Sequence, residues 1–217
     1  MRFPNAAAGV KKIFTAEILG LIGAIATVIG TISALIAVAA AANNSTGGTA
    51  VAGGAFVIFL LGAGVLGIIA FIMNIIGINS AAKDEASFKT ALICVIVGIA
   101  GTAIASIFSS NATISAIGTL ISNVANLFVT IFVITGIIRL ADQLNNGEVS
   151  AKGNNILKVI IVVYALSIIA SLIVMILGGQ TASIIAGIIA LVAAILNIVQ
   201  YFMYLSFLSK AKKMLEA

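Results

Sequence analysis

The sequence predicts an all-α polytopic membrane protein: six transmembrane helices arranged as three parallel, repeated helical hairpins, with both termini cytoplasmic. Three observations carry this. The 217-residue chain is 62% hydrophobic and only 8% charged, about a third of the charge that a water-facing domain carries. Its apolar runs reach or exceed the ~20 residues needed to cross a hydrocarbon core ~30 Å thick. All its charges fall at the chain ends and at alternate connections between those runs, or within a turn of them. The mean hydropathy is +1.30. The whole of 1–217 is therefore expected to form a single membrane domain, with hairpins over about 13–82, 88–144 and 156–209.

Residues 1–12 form a basic segment with the only proline, Pro4. Span 1 runs from about Thr15 to Ala42. Lys11 and Lys12 followed by a long apolar run ending in Ala37-Val38-Ala39 resemble a secretory leader, but a leader's apolar region is ~7–15 residues. The run is longer, so it is read as an uncleaved span. Span 2 covers about Ala50–Asn79, after a polar, uncharged turn. A charged loop with Lys83, Asp84, Glu85 and Lys89 leads to span 3, about Thr90–Phe108. Ser109-Ser110-Asn111 turns the chain into span 4, about Ile114–Leu140. A long polar connection from Arg139 to Asn155 precedes span 5, about Ile156–Leu177. Gly178-Gly179-Gln180 leads to span 6, about Thr181–Leu208, and then a basic tail with Lys210, Lys212 and Lys213.

Helices are preferred to strands because barrel strands need only ~9–11 residues and alternate polar with apolar. A helix also satisfies its own backbone in lipid. Lys, Arg, Asp and Glu occur only near the chain ends, the loop after span 2 and the loop after span 4. The positive-inside rule then places those segments in the cytoplasm and three short uncharged turns outside. A bacterial or archaeal cytoplasmic membrane is the expected location. Asn43-Asn44-Ser45, Asn44-Ser45-Thr46 and Asn111-Ala112-Thr113 match the glycosylation acceptor pattern, but are read as plain turn residues.

The repeat shows when residues 15–32 and 90–107 are aligned. Thr15/Thr90, Ala16/Ala91, Ile18/Ile93, Gly23/Gly98, Thr27/Thr102, Ile29/Ile104 and Ile32/Ile107 are identical pairs. Ser167 and Ser171 occupy the Gly and Thr positions of a looser third copy. Gly23/Thr27, Gly98/Thr102 and Ser167/Ser171 are thus expected to be helix-packing positions, because small residues spaced by four let backbones approach closely. Gly62, Gly64 and Gly67 add small residues to span 2.

With no histidine and a lone cysteine, Cys94, the chain has no His-based acid–base chemistry, no internal disulfide and no metal-ligand spacing. No nucleophile–base pair is evident. The expectation is that the protein is not an enzyme and needs no cofactor. No charge lies near the centre of a span. Arg139 and Asp142 are spaced for a local ion pair, and Glu17 lies near Lys11 and Lys12. The polar span residues remain. Asn197, Gln200, Tyr201 and Tyr204 share one face of span 6, and Asn123 and Asn126 share one face of span 4. Asn74, Tyr164, Asn197, Gln200 and Tyr201 are the candidate ligand-binding residues if the polar groups line a cavity.

Two likenesses of plan exist. Three hairpins, with Gly77 and Gly136 on returning helices, resemble small bacterial acid-resistance membrane proteins, although this chain has no proline after Pro4. Lys11-Lys12-Ile13 followed by Ala16, Gly20, Gly23 and Ala24 resembles the first helix of substrate-binding subunits of energy-coupling-factor vitamin transporters. In that family such small residues dock the transport module. The outer turns here are minimal and there is no Trp, so no family is assigned. The expected partners are the lipid bilayer and either a second copy or another membrane protein, not nucleic acid. The expected role is assembly, with a channel or uptake subunit for a small neutral solute as the alternative.

Overall fold

The computed structural model describes residues 2–42, 46–177 and 179–217, but not the side chains of 42, 46–50, 52, 112, 165–177, 179–188, 190, 191, 193 and 194. Among the described residues the chain forms six α-helices and no strand: α1 (Pro4–Ala42), α2 (Thr46–Ala81), α3 (Ala86–Ile107), α4 (Ala112–Gln143), α5 (Gly147–Leu177) and α6 (Gly179–Glu216). Over Pro4–Ala41, Gly53–Ala81, Ala86–Ile107 and Thr113–Gln143 the helices are long and apolar enough to cross a membrane. Large aliphatic side chains lie exposed along them, as at Ile58 (71%) and Leu120 (63%). This is the surface of a helical membrane protein, whose outer solvent is hydrocarbon.

The helices outrun the predicted spans. The 39 residues of α1 make a rod of ~58 Å, nearly twice the hydrocarbon thickness. The basic segment before span 1 is helical from Pro4, and the basic tail is helical to Glu216. Pro4 suits a first helical position because its missing N–H has no intrahelical partner there anyway. The long polar connection expected over 139–155 is a turn of only 144–146. Its chemistry explains the brevity. Asn146 N donates to Ala141 O at 2.8 Å and Asn145 N to Asp142 O at 3.1 Å, which closes α4 in a Schellman motif. Asn145 takes the left-handed conformation this requires, φ 53°. Asn146 Oδ1 then accepts from Val149 N at 3.1 Å, capping the next helix at once.

Two compact units are present, Met1–Val10 with Ile78–Ala217, and Lys11–Gly77. In the second unit α1 lies against α2 through small residues. A methyl group on Gly23 would meet Ala63 O at 3.6 Å and Leu66 Cβ at 3.7 Å, and one on Gly30 would meet Phe59 Cβ at 3.3 Å. Thr27 Oγ1 donates to Gly23 O at 2.9 Å, so its hydroxyl is spent within the helix. Gly62, Gly64 and Gly67 have nothing within 4 Å of an added methyl.

In the first unit α3 packs along α4, α5 along α6, and α4 also touches α5. Gly98 faces Ala125 and Asn126, and Thr102 Oγ1 donates to Gly98 O at 3.0 Å. The backbones come closest one turn further on. A methyl on Gly101 would lie 2.8 Å from Gly118 O, and one on Gly118 would lie 2.6 Å from Ala105 N. Thr102 and Ser122 hydroxyls bridge the same crossing at 2.9 Å. Ser167 and Ser171 belong to the part of α5 whose side chains lie outside the described residues.

The buried core of this unit sits at the charge-bearing helix ends. Ala6, Ala81, Phe88, Ile134, Ile137, Leu140, Ile156, Phe207 and Leu208 are all fully buried. The Phe88 ring lies against Gly136, and Gly153 admits the side chains of Ile138 and Phe207. Polar clamps surround this core. Asp84 accepts from Asn5 Nδ2 at 2.9 Å and from the backbone N–H of Ala6 at 2.7 Å, capping α1 from another part of the chain and meeting its positive dipole end. Arg2 donates to Gln143 O at 3.0 Å, at the end of α4. Glu85 caps α3 through Ser87 N and also binds Arg139 at 3.3 Å. The ion pair of Arg139 is therefore across the fold, not the local one to Asp142 that its spacing allowed. Lys210 binds Glu148, and Lys152 donates to Ser206. The hydrogen bond from Lys210, and then its charge, hold the Glu148 carboxyl below the ordinary value. Burial and then the Lys210 charge lower the Lys152 ammonium, with Glu148 opposing.

Candidate functional site: a polar notch at mid-helix

The periodicity that puts Asn123 and Asn126 on one face of α4 brings both to the border with α5 and α6, where the Asn126 Oδ1 also lies beside Gly98 of α3. Together with Val163 and Tyr164 of α5 and Asn197 of α6 they line a cavity of about 280 Å³. Each polar residue stands near the middle of a long apolar helix, and all three asparagines are exposed. The carboxamides of Asn123 and Asn126 make no hydrogen bond among the described residues. Tyr164 is half-buried.

Of the five residues expected to bind a ligand, Tyr164 and Asn197 line this notch. Gln200 and Tyr201 follow on α6 without lining it. The Gln200 Oε1 atom is buried with no hydrogen-bond partner, and Tyr201 meets Phe202 edge-on at 6.3 Å between ring centroids. Asn74 is carried by α2 in the other unit, and its Oδ1 atom is likewise buried without a partner. Asn123 and Asn126 were visible in the sequence as a polar face. Their meeting with α5 and α6 needed the tertiary arrangement.

A second hollow of about 330 Å³ lies between α3 and α4, lined by Cys94, Val97, Leu120, Val124 and Phe128 among others. Its lining is apolar, so the two hollows differ in chemistry although they share α4. Known families, curated proteins and solved structures offer no match to this chain. The two likenesses of plan therefore carry no functional residue onto it.

The notch's own chemistry sets what it can do. Each Asn offers two donors and an acceptor oxygen with two lone pairs, and the Tyr hydroxyl both donates and accepts. All four polar groups are uncharged. On α4 and α6 the nearest ionised side chains, Arg139 and Lys210, stand ~20 Å along the helix axis from Asn126 and Asn197. On α5 Lys158 is ~9 Å from Tyr164. Among the described residues no three His, Cys, Asp or Glu side chains gather as metal ligands. The arrangement can recognise neutral hydrogen-bonding groups.

Proposed function

We propose that the protein is a non-enzymatic, six-span integral membrane protein whose work is assembly in the bilayer, as a homo-oligomer or as an accessory subunit of another membrane protein. Its charge-bearing helix ends face the cytoplasm of a bacterial or archaeal cell. The observation that carries this reading is the exposure of Asn123 and Asn126, whose carboxamides make no hydrogen bond among the described residues, in the apolar mid-section of α4. An amide left unpaired in an apolar medium costs roughly 2–7 kcal/mol. Pairing such groups between helices gains about 1–2 kcal/mol per contact in peptides. Covering this face is therefore favourable. A second copy suits it, because carboxamides are donors and acceptors at once and pair with their own kind.

The hairpin repeat has supporting geometry. Gly23 and Gly98 both contact the returning helix, Thr27 and Thr102 both bond back to them, and Gly30 and Ala105 both lie at close approaches. All the clamps of the first unit join charge-bearing ends, as parallel hairpins require.

Chemical crosslinking in native membranes tests the proposal. A discrete higher-mass species is expected for the wild type and should be lost when Asn123→Leu and Asn126→Leu are combined. A wild-type protein that stays monomeric at every concentration would overturn it.

A further inference from the structure

We propose that the notch between α4, α5 and α6 is a hydrated binding site for a small uncharged solute dense in hydrogen-bonding groups, of the polyol or amide type. The inference rests on the assembly reading, since an apposed copy is what separates the open side of the notch from lipid.

Volume comes first. At about 30 Å³ per water, 280 Å³ has room for roughly nine waters, or for one small polar molecule and a few waters. Polarity comes second. Four of the five lining residues carry neutral hydrogen-bonding groups, and a site polar and roomy in this way holds water where an apolar cavity stays dry. Charge comes third. Among the described residues no ionised side chain lines the notch, so an ion entering would lose hydration with no counter-charge to replace it. A neutral solute loses only hydrogen bonds, and Asn123, Asn126 and Tyr164 replace them. A site built to hydrogen-bond rejects an apolar analogue strongly, because the site's own groups are then left unpaired.

The apolar hollow at Cys94 supplies an internal contrast. Both hollows lie on α4 and have similar size, yet one is lined by carboxamides and the other by aliphatic groups and Phe128. A thiol reacts as its thiolate, which needs water. A cysteine in the polar notch therefore reacts with a small uncharged, water-soluble reagent such as iodoacetamide faster than Cys94 does.

The experiment uses the full chain in proteoliposomes. Asn123→Cys in a Cys94→Ala background keeps Asn126, Tyr164 and Asn197 in place. Its thiol should label several-fold faster than Cys94 in the otherwise unmodified protein. Glycerol or urea should slow that labelling, and should slow it far more than labelling of Ser110→Cys, placed in the exposed turn after α3. Adding Tyr164→Phe, which leaves the assembly groups intact, should weaken the protection. A thiol at 123 as inert as Cys94, or labelling that neither solute slows selectively, overturns the site. Crosslinking the same preparation separates the two readings. Oligomer without protection refutes the solute site alone, whereas monomer refutes the assembly on which it depends.

Discussion

The closest backbone-to-backbone approach among the described glycines makes the sharpest prediction. Replacing Gly118 with Ala puts a methyl carbon 2.6 Å from Ala105 N and 2.7 Å from Gly101 O, where ordinary contact begins at 3.4 Å. Both obstacles are backbone atoms, so no side chain can swing aside. The helices must part by roughly 0.8 Å, and a gap of that size forfeits a quarter to a half of the dispersion well for each atom pair it opens. Overpacking of this kind costs about 1–3 kcal/mol. Ala also gains up to ~1 kcal/mol over Gly in helix propensity. Gly64→Ala provides the control: its methyl meets nothing within 4 Å, so it has the same propensity gain and no clash. The difference between the two variants isolates the packing loss, about 1–3 kcal/mol. Thermal unfolding in micelles, followed by circular dichroism, reads this as ~2–4 °C per kcal/mol for a chain of this size. If Gly118→Ala melts with or above Gly64→Ala, the close crossing of α3 and α4 is wrong.

Asp84→Ala leaves the Ala6 N–H and the Asn5 amide of α1 without their acceptor and should cost about 0.5–2 kcal/mol. Chemical denaturation measures it, and Asp84→Asn should recover part of the loss. Glu148, held below its ordinary value near 4.5 by Lys210, contributes stability that is full above that value and is lost as pH falls through the lowered one. Lys210→Met should therefore destabilise at neutral pH and make no difference in acid, with high salt shrinking the effect; a difference that persists in acid contradicts the pairing. Arg139→Gln should change stability by less than ~1 kcal/mol, because the Arg139 side chain of its ion pair with Glu85 is 59% exposed. A larger loss in denaturation would show that Arg139 packs as well as pairs.

Composition made the helical membrane class legible, because backbone satisfaction in lipid leaves few alternatives to a helix. The ends of the helices were not legible. Polar residues such as Arg139, Asp142, Glu148 and Lys152 look like loop when the reader searches for apolar runs, yet a helix leaving the membrane keeps its own hydrogen bonds. Only the left-handed Asn145 and the capping Asn146 break the ladder. The small-residue pattern found Gly23 and Gly98 on contacting faces. It missed the closest approach, between Gly101 and Gly118, because pairwise spacing within one helix cannot say which glycine of the partner stands opposite. The notch was half visible in the same way. The Asn123–Asn126 face and the Tyr164 and Asn197 positions were each evident alone, but their convergence depends on how α4, α5 and α6 are packed.

The fastening of the first helix has a consequence for biosynthesis. Ala6 waits on Asp84, 78 residues downstream, and Arg2 waits on Gln143, 141 residues downstream. A ribosome making the chain in order delivers the first helix long before either fastener exists. The leading turn of that helix stays unmoored until the second pair of spans has begun, and gains its other tether only once that pair has been threaded. These opening residues therefore gain both contacts only after α3 and α4 have been made. They close the structure after most of it has been made.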